Sequence, residues 1–204
     1  MVLGGLLLPS CIKNDDANNE TIVLIGPENY IDDILSVIPD TLQLRFFADF
    51  GEIPQGPVPP KIDGSYVVSP KQRVSSNDSI WPIFIEDNMY LRFSKQHNGI
   101  VTLDLNEAME NVTDTVFVQG NGNKFVVYFI EDLSYDMELD QQMHHINLRR
   151  GVIMKGQVTN IGLADFRYAT IILDVDCDGS IVPFEKGMYY IYKDGDGIAE
   201  NFDW

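Results

Sequence analysis

From Tyr66 onward the apolar residues return at every second position, in short stretches whose separations are too brief to hold a crossover helix. The stretches are "SYVVS", "IWPIFIE", "MYLRFSK", "GIVTLDL", "TVFVQ", "KFVVYFIED", "HHINLRRGVIMKGQV", "RYATIILDVD" and "MYYIYK", with turn signals such as "EDN", "QHNG", "GNGN", "VTNIG" and "CDG" between them. Strands joined this tightly must run antiparallel to their neighbours. The fold class expected is therefore mainly β: an antiparallel meander that closes into a barrel, or a sandwich of two packed sheets. Either arrangement shields strand edges.

Before Tyr66 the period is helical. Tyr30, Ile31, Ile34, Leu35 and Ile38 fall on one face, and Leu42, Phe46 and Phe50 continue it beyond Pro39, so two short helices are expected, the second stopped by Gly51. "GEIPQGPVPPKIDG" is rich in proline and must be an extended connection. The organisation expected is a signal segment over 1–10, a tether over 11–20, a helical segment with its Pro-rich connection over 21–59, and an antiparallel β domain over 60–204. With 204 residues, 45% of them hydrophobic, the chain can bury one good core.

"MVLGGLLLPSC" is apolar, too short to span a bilayer, and ends in small residues before Cys11. "LLPSC" resembles the lipobox of bacterial lipoproteins, which implies cleavage before Cys11 and a lipid on that cysteine. No Lys or Arg precedes Cys11, so the signal is read as entered part-way, at an internal methionine. The acidic, aperiodic "IKNDDANNE" suits a tether, and its place resembles the surface-export signal of Bacteroidota lipoproteins. The resemblance implies an outer-membrane lipoprotein of the cell envelope, facing the cell surface or the periplasm. A formal charge of -17 repels phosphate backbones, so nucleic acid is not an expected partner.

Gly64 followed by Tyr66 in "PPKIDGSYVVSP" resembles the opening of the first strand of lipocalin-like domains. Together with the lipobox, the small helical segment and the closing "YKDGDGIAENFDW", it resembles lipocalin-like cell-envelope lipoproteins of Bacteroidota. That resemblance implies a barrel and carries no activity with it.

Two stretches offer oxygen ligands for a hard cation. In "DVDCDGSIVPFE", Asp174, Asp176, Asp178, Ser180 and Glu185 match the ligand positions of a helix–loop–helix calcium loop, but the flanks "RYATIIL" and "GMYYIY" read as strands. "KDGDGIAEN" places Asp194, Asp196 and Glu200 in a second glycine-rich turn. Ca2+ at either turn and plain Asp-Gly hairpin turns both fit the pattern. On a strand, Ala169, Ile171, Leu173, Val175 and Cys177 share one face, and Thr170, Ile172, Asp174, Asp176 and Asp178 take the other. Adjacent on a strand, His144 and His145 point to opposite faces and do not make a zinc site.

No nucleophile elbow, phosphate loop or dinucleotide fingerprint is present, so no catalytic residue is assigned. "DTL", "DSI" and "DTV" resemble an O-glycosylation pattern of exported Bacteroidota proteins, which implies Thr41, Ser79 and Thr115 as modification sites. The function expected is a non-enzymatic binding module for a glycan or other small molecule, marked by a cavity or an exposed aromatic platform. The alternatives are an extracytoplasmic hydrolase using paired carboxylates and an assembly component of an envelope complex.

Overall fold

The structure, a computed structural model, describes residues 30–78, 85–86, 88–107, 110–139, 142–177 and 184–204. Two helices come first, α1 (Tyr30–Ser36) and α2 (Asp40–Phe50). Pro39 is the N-cap of α2, where a missing N–H costs nothing because the first donors of a helix lack partners anyway. Gly51 ends α2 at φ +83°, donating to the Phe47 carbonyl at 2.8 Å. A side chain there would be strained and would also meet Lys155 Nζ.

Among the described residues eleven strands follow in one sheet: β1 (Gly64–Val68), β2 (Lys71–Ser76), β3 (Ile85–Glu86), β4 (Met89–His97), β5 (Ile100–Glu107), β6 (Glu110–Asn121), β7 (Lys124–Leu139), β8 (Gln142–Val158), β9 (Gly162–Cys177), β10 (Tyr189–Asp194) and β11 (Ile198–Asn201). Every strand pairing is antiparallel. β1 pairs with β4 and β2 with β3, while β11 pairs with β1 and β10 with β2. On its other side β9 carries both β10 and β11. The ladder thus returns to its start, giving a barrel-like meander of the kind expected. Asn98 (φ +48°) and Gly99 (φ +76°) of "QHNG" take the left-handed conformations that a tight hairpin between β4 and β5 demands.

Alternation sorts the strands' side chains into two cores. Tyr66, Val68, Leu91, Phe93, Leu103, Val118, Phe125, Phe129, Met154, Phe166 and Tyr168 fill the inside of the ring. Val126, Tyr128, Ile153, Ala169, Ile171, Tyr189 and Ile191 point outward and are covered by Ile34, Ile38, Phe46 and Phe50 of the helices. Burial pushes the Tyr128 phenol up to about 12. Helix α1 comes close because Gly151 has no side chain: a Cβ there would stand 2.5 Å from Ile34 Cγ2. Toward one end of the ring the interior turns polar, where the cations of buried Lys71 and Arg73 lie 4.6 Å and 5.1 Å from the Tyr192 and Tyr190 rings.

Strand β9 is not as regular as its alternation suggests. Its register slips opposite Arg149 and Arg150, so that Arg150 pairs Ile172 while Arg149 pairs Asp174. Leu173 therefore stays with Ala169 and Ile171 against the helices, whereas Val175 and Cys177 pair with inward Leu148 and Ile146. The five residues do not share one face.

Candidate functional site

The outer face of β1, β4 and β5 brings polar and aromatic side chains together. Alternation that buries Met89, Leu91 and Phe93 turns Tyr90 and Arg92 outward. Antiparallel register sets Arg92 beside Asp104 and Asp104 beside Thr113, one rung across β4, β5 and β6. Arg92 Nε and Nη2 donate to Asp104 Oδ2 at 2.8 and 2.7 Å, and Thr113 Oγ1 donates to Asp104 Oδ1 at 2.8 Å. Partial burial opposes ionisation of Asp104. The bonds from Thr113 and Arg92, with the charges of Arg92 and Lys95, outweigh it and hold the carboxyl below its ordinary value.

The chain's last residues complete this face. The Phe202 N–H donates to the Ser65 carbonyl at 2.8 Å, its ring lies 5.1 Å from that of Tyr90, and the Arg92 guanidinium carbon lies 5.0 Å from the Trp204 ring. Phe202 remains 41% exposed and Trp204 49%. Rings held this open beside a fixed Arg–Asp–Thr network can stack on a flat ligand face and hydrogen-bond its edge.

A second concave region of about 490 Å3 lies where α2 ends on the sheet. Arg167 Nη1 donates to the Asp49 carbonyl at 2.7 Å and Lys155 Nζ to the Glu52 carbonyl at 2.8 Å, so both cations meet carbonyls at and just beyond the helix end. Burial first, then the Arg167 charge, brings the Lys155 amine down to about 8.

The carboxylates singled out from sequence are dispersed. Asp194 is 1% exposed, and its oxygens accept the N–H groups of Ser69 (2.8 Å), Asp196 (3.0 Å) and Gly197 (3.1 Å). It ties the break between β1 and β2 to the break between β10 and β11. Burial and its neighbour Asp196 raise the Asp194 carboxyl, while Asp196, bonded to Asp194 and to the Ile198 N–H, is lowered. Glu200 is exposed in β11 opposite Val67. Asp174 and Asp176 are exposed on β9 in the rungs of Arg149 and Asn147, and Glu185 is exposed in the turn before β10. Asp178 and Ser180 lie outside the described residues. Among the described residues no three His, Cys, Asp or Glu side chains converge as a metal site.

Thr41, in the first turn of α2, and Thr115, on β6, are both exposed; Ser79 and Cys11 lie outside the described residues. Cys177 is of intermediate exposure. Of the aromatic strands, "KFVVYFIED" and "MYYIYK" supply core, and the exposed platform forms around Tyr90. Sequence reading missed Arg92 and Asp104 because they stand twelve positions apart across a hairpin. A hairpin register read from the "QHNG" turn was the available signal.

No family model matches the chain, and neither a curated protein nor a solved structure matches it.

Proposed function

We propose that this protein is a carbohydrate-binding module of the bacterial cell envelope, exported and held to the outer membrane by a lipid on Cys11. The glycan lies across the outer face of β1, β4 and β5. Sugar rings stack on Phe202 and Trp204, and ring hydroxyls meet the Arg92–Asp104–Thr113 network. The observation that carries this reading is the exposed Phe202–Trp204 pair beside a pre-ordered ion pair. Large apolar side chains left open next to fixed polar groups mark binding surfaces, and the surrounding bonds keep those polar groups in place before the ligand arrives. "LLPSC" and the acidic tether support the anchor, and no described helix is long and apolar enough to cross a membrane.

A glycan array probed with the full chain carrying Cys11→Ser tests the proposal. Binding to a defined set of saccharides, lost in Trp204→Ala, is expected. An array without a hit, or hits indifferent to Trp204, removes it.

A further inference from the structure

We propose that Ser134, His145 and Asp136 form a nucleophile–base–carboxylate relay that hydrolyses small acyl esters, an activity independent of the glycan face. The three side chains stand on the outward face of the β7–β8 hairpin, where Asp136 pairs His145 and Ser134 pairs Asn147 in neighbouring rungs. His145 Nδ1 lies 2.9 Å from Asp136 Oδ1, and His145 Nε2 lies 3.0 Å from Ser134 Oγ. Each nitrogen faces the group the chemistry needs. A carboxylate on Nδ1 holds the proton there and leaves the Nε2 lone pair for the hydroxyl.

A polar ladder with no chemical role would also pair these rungs, but it has no need for Asp and Ser on the two different nitrogens of one ring. Ser134 Oγ also lies 2.9 Å from Asn147 Oδ1, an alternative acceptor for its one proton. With His145 protonated the hydroxyl donates to Asn147, and with His145 neutral it donates to Nε2. The hydroxyl is thus oriented in both states of the base.

Ser134 lines a groove of about 470 Å3 that Arg149 and Asp132 also line. Arg149 is 53% exposed and lies 3.9 Å from Asp132, so its guanidinium can turn to a developing negative charge. In the reaction Ser134 Oγ attacks the ester carbonyl carbon as its proton passes to His145 Nε2, and the carbonyl electron pair moves onto oxygen beside Arg149. Collapse expels the alcohol, which takes the proton from Nε2. Water then attacks the acyl-serine, yields its proton to Nε2, and the carboxylic acid leaves as Ser134 Oγ is reprotonated.

The test is labelling of the full chain carrying Cys11→Ser with a fluorophosphonate, located by peptide mass spectrometry, alongside hydrolysis of p-nitrophenyl acetate. One adduct per chain on Ser134 is expected, with labelling and hydrolysis each at least tenfold slower in His145→Ala and Asp136→Asn, and far-ultraviolet circular dichroism unchanged. Absence of the adduct overturns the proposal, as does a Ser134 labelling rate equal in wild type and His145→Ala.

Discussion

Arg92 holds Asp104 through two nitrogens at 2.8 and 2.7 Å while its guanidinium carbon lies 5.0 Å from the Trp204 ring, so one side chain joins the sheet to the end of the chain. Arg92→Ala should release both partners. Asp104 sits below its ordinary value when folded, so its stabilisation is present above about 3.9 and is lost as pH falls through the lower folded value. In Arg92→Ala the Asp104 resonance should titrate at higher pH and the acid limb of stability should flatten. Since Arg92 is 43% exposed, the loss at neutral pH should be about 1 kcal/mol or less.

Asp194 is expected to matter far more. Asp194→Ala leaves three N–H donors at the two strand breaks without their acceptor, and a buried polar group left without its partner costs about 1–3 kcal/mol. Urea denaturation should show a loss of about 3 kcal/mol or more, with Asp194→Asn, which keeps one acceptor oxygen, in between.

Lys155 provides a pH signature. Its amine sits at about 8, against about 10.4 for an exposed lysine, so between those values the unfolded chain binds more protons and stability rises with pH. After reductive 13C-methylation, one lysine resonance should titrate near 8 and vanish in Lys155→Met.

The seat of α1 can be tested at Gly151. A methyl there meets Ile34, so Gly151→Ala should cost about 1–3 kcal/mol by overpacking. Ile34→Ala alone should also destabilise, but the double variant should lose less than the sum, which a double-mutant cycle in urea would register.

The sequence pattern was legible where a local signal and a long-range need agreed. Pro39 and Gly51 framed α2, and period-two stretches marked strands. The slip at Leu173 was not legible, because nothing in "TIILDVD" distinguishes a strand with an inserted residue from a regular one. Asp194 misled for a related reason: a carboxylate in an Asp-Gly turn looks the same whether it awaits a cation or accepts N–H groups from Ser69, far away in sequence. The platform was hidden because Arg92, Asp104 and Trp204 meet only once register and chain end are both fixed.

A carbohydrate bound over Phe202 and Trp204 should slow the protein in a polysaccharide gel. Affinity electrophoresis through gels cast with a panel of neutral and acidic polysaccharides tests it most directly, run on the chain carrying Cys11→Ser and on the same chain with Phe202→Ala and Trp204→Ala. Retardation by at least one polysaccharide is expected, weakened tenfold or more in the double variant, since losing two stacking rings costs at least about 1.4 kcal/mol. Retardation that survives the loss of both rings, or none across the panel, would contradict it.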